Sequence, residues 1–239
     1  MTPVAVVTGA SRGIGRAVAL EAARRGYDVL IGFRSDPLMA KEVADAVEAA
    51  GRRAEVCAAD LAELAGVVHT AEAARRLGPV ALLVNNAGVT NSGPLSQLDF
   101  DLWERTLALN LTAPVWLTRE LAPDLARNLG AVVNIGSTGG IVGSVHSLPY
   151  SASKAGLIGA TKTLARMLAP KVRVNLVAPG ITDTDLLDGI TETQKSSIVA
   201  EQPLARIADA EEIARVVLDV SAWTYATGQT VVVDGGRVM

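Results

Sequence analysis

Tyr150 and Lys154 are the two residues of this sequence whose types and spacing best suit acid–base chemistry. Residues four apart lie on one face of a helix, so the phenol and the ammonium can share one site. A free phenol has a pKa of about 10, but a neighbouring ammonium favours the phenolate and lowers that pKa. The pair therefore predicts a proton donor or acceptor, although the same spacing is common in ordinary surface pairs.

Ser137 and Asn110 are two further polar candidates beside apolar segments. Residues 131–136 predict a strand, and Ser137 follows at its carboxyl end, where open α/β sheets form their ligand crevices. A lone serine at such a position is often only structural. Asn110 lies among leucines in a long predicted helix, at about residues 99–128, and needs a hydrogen-bonding partner if it is buried. Pro114 predicts a kink or a break in that helix.

A glycine-rich turn follows the first predicted strand. Residues 8–15, TGASRGIG, have three glycines at spacings of four and two, which allow a tight turn and a close approach of the backbone. The N-terminal N–H groups and the dipole of the following helix favour a phosphate. The spacing does not fit the general G-x-G-x-x-G fingerprint, because the third position counted from Gly13 and Gly15 is Val18. An ordinary glycine-rich turn is the alternative.

The end of the second predicted strand indicates the type of cofactor. In a doubly wound fold an acidic residue here accepts hydrogen bonds from the adenosine ribose. This sequence has Phe33 and then Arg34, and Arg34 together with Arg12 suits a 2′-phosphate through charge-assisted hydrogen bonds. Asp36 is a competing acid beyond the predicted strand end. We therefore expect NADP(H), with two solvated arginines at a turn as the alternative.

Composition excludes several classes of function. The 239 residues carry a formal net charge of −3, which gives no case for nucleic acid or an anionic membrane as a partner. No apolar run is long enough to cross a bilayer. The single cysteine, Cys57, precludes an internal disulfide, and the two distant histidines, His69 and His146, do not predict a metal site. Without a signal-peptide pattern, we expect a cytoplasmic protein.

The alternation of apolar runs with helical stripes predicts an α/β fold. We expect a single-domain, doubly wound (Rossmann-like) parallel sheet of about seven strands, with helices on both faces, over residues 1–239. Residues 181–204 are polar and irregular at their start and predict a mobile lid over the substrate. The predicted strands lie at residues 4–7, 29–33, 54–58, 80–84, 131–136, 172–177 and 230–233.

Together these motifs resemble those of the short-chain dehydrogenase/reductase family, over the whole chain. TGASRGIG matches the family's glycine motif, and NNAG at residues 85–88 matches its motif after the fourth strand. Pro179 and Gly180 match its segment beside the nicotinamide. Within the family the chain most resembles the bacterial 3-oxoacyl-acyl-carrier-protein reductases of fatty acid biosynthesis, including the ending TGQTVVVDGG at residues 227–236. The residues that fall in the family's catalytic order are Asn110, Ser137, Tyr150 and Lys154.

The resemblance implies that a carbonyl is reduced by hydride from a nicotinamide. Tyr150 would supply the proton and Ser137 would hydrogen-bond the carbonyl oxygen. Lys154 would lower the Tyr150 pKa and hold the nicotinamide ribose, and Asn110 would support a water-linked proton path. Residues 11–15 would meet the pyrophosphate, residues 60–61 the adenine, residues 86–88 the adenosine side and residues 179–182 the nicotinamide. The predicted cofactor-binding residues are Gly9, Ser11, Arg12, Gly13, Ile14, Gly15, Arg34, Ser35, Asp60, Leu61, Asn86, Ala87, Gly88, Tyr150, Lys154, Pro179, Gly180 and Thr182.

One departure from the family concerns the substrate. Relatives that depend on a carrier protein tend to have several basic residues before the fifth strand, whereas here Arg127 stands nearly alone, with Lys171 elsewhere. The resemblance implies a 3-oxoacyl thioester, carried by acyl carrier protein. The alternative is a carbonyl reductase or alcohol dehydrogenase acting on a free small molecule, a sugar or a coenzyme A thioester. A regulatory protein that only binds the cofactor is a third reading, which the intact catalytic residues disfavour.

The resemblance also implies a homotetramer. In the family the final segment of the chain and the long central helices pack across two-fold axes. The apolar residues Leu107, Leu111, Leu157 and Leu164 would face such an interface, unless some of them only face the sheet.

Overall fold

The computed structural model of the chain describes residues 1–90, 93–144, 147–184, 191, 196–197 and 199–238. Its strands are β1 Val4–Val7, β2 Asp28–Phe33, β3 Ala54–Ala58, β4 Val80–Asn85, β5 Ala131–Ile135, β6 Arg173–Pro179, β7 Thr182–Asp183, β8 Ala208–Asp209 and β9 Thr230–Val233. Seven of them form one parallel sheet in the order β3-β2-β1-β4-β5-β6-β9. The order reverses direction between β1 and β4, which confirms the predicted doubly wound sheet.

Helices cover both faces of this sheet, as predicted. The described helices include α1 Gly13–Arg24, α2 Pro37–Ala49, α3 Leu64–Leu77, α4 Phe100–Leu107, α5 Ala113–Arg127, α6 Gly139–Val142, α7 Leu148–Leu168 and α8 Ala210–Ala222. Successive side chains of a strand point to opposite faces. In β1, Ala5 and Val7 pack in one core cluster with helices α1, α2 and α8, whereas Val4 and Val6 pack in a second cluster with α3, α5 and α7. Strands covered on both faces must be apolar throughout, which explains the continuous runs of the sequence.

The break predicted at Pro114 is a widened turn within one helical rod. A π-helical turn, Ala108–Thr112, joins α4 to α5, and the Ala113 N–H donates to the Ala108 carbonyl five residues back. Pro114 has no N–H and cannot donate to the Asn110 carbonyl, as the residue at its position would in an α-helix. The rod is therefore widened at Asn110 rather than interrupted.

Nearly half of the predicted lid, including most of its middle, falls outside the described residues. Residues 185–190, 192–195 and 198 are not described, so the mobility and closure of this segment stay predictions. Its start was not predicted as a strand: β7 pairs in parallel with β8, with Thr182 opposite Ala208 and Asp183 opposite Asp209. This two-stranded pairing fixes how the chain leaves the end of β6.

Leu157 was one of four leucines predicted to face a subunit interface unless they only face the sheet, and the structure shows that it faces the sheet. Its side chain is fully buried and packs with Leu176 and Ala178 of β6. Leu111 packs against the same cluster and Leu164 against the α3–α5 side of the core, each half-buried. An apolar stripe on a helix cannot by itself distinguish packing against the sheet from packing against a second subunit.

A buried polar network links β4 and β5 to the helices above them. Asn85 Nδ2 donates to Asn134 Oδ1 at 2.9 Å, and Asn134 Nδ2 donates to Thr161 Oγ1 of α7 at 2.8 Å. Asn85 Nδ2 also lies 3.3 Å from Thr118 Oγ1 of α5. All four side chains are buried, so each hydrogen bond is costly to lose. The network fixes α7 against β5.

We predict that Thr161→Val lowers the free energy of unfolding by about 1–3 kcal/mol, because the buried Asn134 amide loses an acceptor while the shape of residue 161 is kept. Chemical denaturation would measure this change. Thr106→Val is the matched control: Thr106 is buried to a similar degree and its hydroxyl donates to the Leu102 carbonyl one turn back, as that of Thr161 does to Leu157. Equal losses in the two variants would contradict the role given to the network.

Candidate active site and cofactor cleft

Two adjoining cavities open at the carboxyl ends of the sheet strands, where the strand order reverses. The larger, of about 320 Å³, extends from the glycine turn after β1 to the ends of β2 and β3. The smaller, of about 260 Å³, lies at the ends of β5 and β6. Both are lined by Ile14, Asn86, Gly88, Val89 and Thr184, so they form one continuous cleft.

This cleft brings together the residues that the sequence predicted for cofactor binding. The larger cavity is lined by residues 9 and 11–15 of the glycine turn, by residues 34–35 and 60–61, and by residues 86–88. The smaller cavity is lined by Tyr150, Lys154, Pro179, Gly180 and Thr182, and also by Ser137. The arrangement therefore joins a phosphate-side cavity to a cavity that holds the acid–base candidates.

The turn after β1 requires glycine at two positions. A Cβ atom on Gly15 would lie 2.2 Å from the Gly9 carbonyl oxygen and 2.5 Å from Asn86 Nδ2, and Gly9 has a φ of +62°. Asn86 Nδ2 donates to the carbonyls of Thr8 and Gly9 at 2.9 and 3.0 Å, which ties the turn to the end of β4. On the side that faces the cleft, the backbone of this turn is therefore not covered by side chains.

The N-terminus of α1 follows directly on this uncovered stretch of backbone. The residue before the helix is Arg12, whose side chain has no acceptor atom and does not cap the first turn. The N–H groups of that turn and the positive end of the helix dipole therefore face the cleft. These features fit the pyrophosphate of a dinucleotide.

Strand β2 does not end in an acidic residue where it reaches the part of the cleft expected to hold the adenosine ribose. Phe33 is the last residue of that strand, and Arg34 and Ser35 line the cleft beyond it. Asp36, the competing acid, is the N-cap of α2, and its Oδ1 accepts a hydrogen bond from the Met39 N–H at 3.0 Å. The Asp36 carboxylate is therefore engaged in capping a helix.

Tyr150 and Lys154 lie one turn apart near the start of α7, facing the end of β5. Lys154 Nζ is 5.7 Å from the centre of the Tyr150 ring and donates to the Ile135 carbonyl at 2.7 Å. The Ser137 side chain lies near enough to the Tyr150 hydroxyl to lower the pKa of the phenol. Ser137 Oγ in turn accepts the Gly139 N–H at 3.0 Å, which leaves its own proton free to donate. Both side chains line the smaller cavity, so two hydroxyl groups lie at the same end of the cleft.

Burial sets the pKa values of both groups. It raises the pKa of the Tyr150 phenol above its usual 10, and the hydrogen bond with Ser137 offsets this only in part. The expectation that Lys154 lowers the Tyr150 pKa is therefore not met in this structure. Burial also lowers the pKa of the Lys154 ammonium to about 8. At neutral pH the phenol is protonated, which suits a proton donor.

The Asn110 side chain is held by hydrogen bonds within the protein. It is fully buried behind the cleft, and its Oδ1 accepts the Val89 N–H while its Nδ2 donates to the Val89 carbonyl, both at 2.9 Å. Nδ2 also lies 3.2 Å from Ser153 Oγ, which donates to the Tyr150 carbonyl at 2.7 Å. The side-chain amide is therefore occupied in joining the loop after β4 to α7, and the water-linked proton path stays a prediction.

The predicted set leaves out several residues of the site, among them Val89, Thr184 and Arg105. Val89 and Thr184 line both cavities, and Thr184 Cγ2 lies 3.2 Å from the place of a Cβ on Gly13. Arg105 of α4 donates from Nη2 to Asp60 Oδ2 at 2.7 Å. Thr184 was within reach of sequence reasoning, because it lies in a polar run after Gly180. Arg105 was not, because 45 residues separate it from Asp60.

Two kinds of feature are absent from the described part of the chain. Residues 1–90, 93–144, 147–184, 191, 196–197 and 199–238 contain no group of three or more His, Cys, Asp or Glu side chains arranged to hold a metal ion. Among the same residues, no helix has the length and apolar character needed to cross a membrane.

The fold and the cleft define an oxidoreductase that uses a nicotinamide dinucleotide and acts on CH–OH or C=O groups. The family model for short chain dehydrogenase matches residues 3–195. The chain therefore belongs to the short-chain dehydrogenase/reductase family. The resemblance of the motifs to this family is confirmed.

The similarity to other proteins covers the whole chain or nearly all of it. It is 35% identical to the 3-oxoacyl-[acyl-carrier-protein] reductase FabG of Staphylococcus aureus strain Mu50, covering 100% of this chain and 99% of the relative. It is 38% identical to the FabG of Pseudomonas aeruginosa, covering 99% and 97%. Among solved structures it is similar to a blue fluorescent protein from a metagenomic library in complex with NADPH, with a TM-score of 0.93 and 36% identity over 99% and 98% of the two chains. It is also similar to acetoin dehydrogenase YohF of Salmonella typhimurium, with a TM-score of 0.91 and 32% identity over 99% and 96%.

The lowered pKa of Lys154 predicts a pH dependence of stability. Between about pH 8 and the ordinary lysine value of 10.5, the unfolded chain binds more protons at this residue than the folded protein does. The contribution of Lys154 to the free energy of unfolding therefore rises with pH across that window, by on the order of 3 kcal/mol, and is lost as the pH falls back through 8. In the Lys154→Met variant, this rise of the free energy of unfolding with pH should be absent. Urea unfolding of both proteins without cofactor, from pH 7.5 to 10.5, measures it, and parallel curves would contradict the assignment.

Proposed function

We propose that the protein reduces a carbonyl to an alcohol with NADPH, and that its substrate is a 3-oxoacyl thioester. The observation that carries the reaction is that Ser137 and Tyr150, two side chains with hydroxyl groups, line one cavity together with the buried Lys154. The nicotinamide, when bound, supplies the hydride. Ser137, held by the Gly139 N–H, donates a hydrogen bond to the carbonyl oxygen, and Tyr150 gives its proton to the developing alkoxide.

Lys154 has two roles in this proposal. Its side chain is buried against the end of β5. Its ammonium lies close to Gly88, at 3.6 Å from the position that a Cβ atom would occupy on that glycine. An ammonium at this point is within reach of a ribose hydroxyl at the junction of the two cavities. It also positions Tyr150, because its hydrogen bond to the Ile135 carbonyl joins α7 to the end of β5.

NADP(H) is the proposed cofactor, in preference to NAD(H). The end of β2 offers no carboxylate to a ribose diol, because Phe33 ends the strand and Asp36 is engaged in the α2 cap. Arg34 and Arg12 line the cleft at the same end and suit a 2′-phosphate. The similar protein crystallised with NADPH supports this preference.

A 3-oxoacyl thioester is favoured by the names of the relatives, which are 3-oxoacyl-[acyl-carrier-protein] reductases. We propose a role in fatty acid biosynthesis on the same ground. One observation favours the alternative of a free small molecule or a coenzyme A thioester: Arg127 is ion-paired with Asp124, so its charge is already partnered in the fold. Steady-state rates of NADPH oxidation with one 3-oxoacyl chain on acyl carrier protein, on coenzyme A, and with acetoin would distinguish these substrates. A preference for acetoin over both thioesters would refute the thioester proposal.

We also propose a homotetramer formed by a single-domain chain located in the cytoplasm. The exposed large apolar side chains include Phe100 on α4, Met167 on α7, Val232 on β9 and Tyr225 in the loop before β9. Strand β9 ends the sheet, so its outer edge is open to pairing or packing. Light scattering at micromolar concentration that detected only monomer would refute the assembly.

We predict that Tyr150→Phe lowers kcat by about 10³-fold while NADPH binds with its usual affinity, because a proton donor is removed and the ring is kept. Stopped-flow single turnovers and calorimetric titration with NADPH measure the two quantities. Tyr225→Phe, at an exposed tyrosine away from the cleft, is the matched control and should have the parent rate. A Tyr150→Phe enzyme with near-normal turnover would remove Tyr150 from the mechanism.

Arg34→Asp should weaken NADPH binding by about 10- to 100-fold and leave NADH binding little changed, because a charge-assisted hydrogen bond is replaced by repulsion. Arg34→Gln should give a smaller loss of the same sign. The control is Arg24→Asp, which makes the same change of charge at an exposed residue in the last turn of α1. Tighter binding of NADH than NADPH by the unmodified protein would refute the proposed cofactor.

A further inference from the structure

An ion pair lies at the adenosine end of the cleft and joins it to α4. Arg105 Nη2 donates to Asp60 Oδ2 at 2.7 Å, while Asp60 Oδ1 accepts the Ala62 N–H at 3.0 Å. Asp60 lines the larger cavity together with Arg34 and Arg12. Both oxygens of the carboxylate are therefore held, one by its own turn and one by a helix 45 residues further along the chain.

Asp60 is a carboxylate in a cleft that must take a polyanion. An uncompensated negative charge here would repel the cofactor, and most strongly one with an extra phosphate. The carboxylate would also compete with the phosphate of the cofactor for the nearest cationic side chain in the cavity. Arg34 lies near enough to help lower the pKa of the Asp60 carboxyl, although the hydrogen bond from Arg105 is the largest cause of that lowering. Arg34 is thus placed between two possible anionic partners, Asp60 and a 2′-phosphate.

We propose that Arg105 is a specificity-determining positioning residue, which holds the Asp60 carboxylate in an ion pair and so leaves Arg34 to the 2′-phosphate of NADPH. The inference rests on the proposed preference for NADP(H) and deepens it. Arg105 does not need to touch the cofactor for this role, because it acts through Asp60.

The alternative is an ordinary surface ion pair that only ties α4 to the loop after β3. The side chains of Arg105 and Asp60 are 44% and 34% exposed, so the pair contributes little to folding. A purely structural contact would also affect both cofactors alike if its loss displaced the adenine site. The proposed role predicts instead a change in the ratio of the two affinities, which a structural role would not produce.

The experiment is calorimetric titration of the full-length protein with NADPH and with NADH, at one low ionic strength. The variants are Arg105→Gln, Arg105→Lys, Asp60→Asn and the double variant Arg105→Gln/Asp60→Asn. Asp60→Asn keeps an acceptor for the Ala62 N–H. Arg24→Gln, which removes an exposed arginine at the far end of α1, is the control for a general loss of positive charge. The thermal unfolding midpoint of each variant shows that it is folded.

We expect Arg105→Gln to lower the preference for NADPH over NADH by about three- to fivefold, in the upper part of the range for a partly exposed ion pair. Arg105→Lys and Arg24→Gln should keep the preference of the unmodified protein. In the Asp60→Asn background, Arg105→Gln should have no further effect on the ratio.

Two results would overturn the inference while the cofactor proposal stands. One is that Arg105→Gln leaves the ratio of the NADPH and NADH affinities unchanged. The other is that Arg105→Gln lowers this ratio equally when Asp60 is already replaced by Asn. The second result would mean that Arg105 acts directly as a cation. An unmodified protein that binds NADH more tightly than NADPH would instead refute the cofactor proposal, and this inference with it.

Discussion

The hydrogen bond from Lys154 Nζ to the Ile135 carbonyl is the contact on which the catalytic geometry depends. It joins α7 to the end of β5, and these two elements carry Tyr150 and Ser137. Burying an ammonium is unfavourable, and the pKa of about 8 is the sign of that cost. A core built for stability alone would place an apolar residue there. A buried, perturbed lysine in a cleft is the pattern expected of a functional site.

A second contact makes the first one effective. Lys154 and Thr161 are seven residues apart, so they lie on the same face of α7 about two turns from each other. Lys154 bonds the Ile135 carbonyl, and Thr161 bonds the side chain of the preceding residue, Asn134. Two points of attachment fix both the position of the helix along the strand and its rotation about its own axis. The direction of the Tyr150 hydroxyl therefore depends on a polar network that never contacts the substrate.

The sequence predicts those features that depend on a residue's own neighbours in the chain. The strands follow from continuous apolar runs, and the glycine turn from the absence of a Cβ at Gly15. The direction of the Tyr150 pKa shift could not be predicted, because it depends on how completely the folded chain encloses the phenol. The burial of Leu157 against β6 was missed for a related reason: periodicity identifies an apolar face but not what covers it. The ion pair of Arg105 with Asp60 requires the tertiary fold itself.

The rod formed by α4, the π-helical turn and α5 contacts both ends of the cleft. Arg105 bonds Asp60 at the adenosine end, and Asn110 bonds Val89 and Ser153 at the catalytic end. In a regular α-helix, residues five apart point about 140° away from each other, so the two side chains would diverge. The π-helical turn widens the helix between them and reduces that angle. Pro114 favours the wider turn because it has no N–H to donate to the Asn110 carbonyl. One proline thus helps a single helix to support both the cofactor end and the catalytic end of the site.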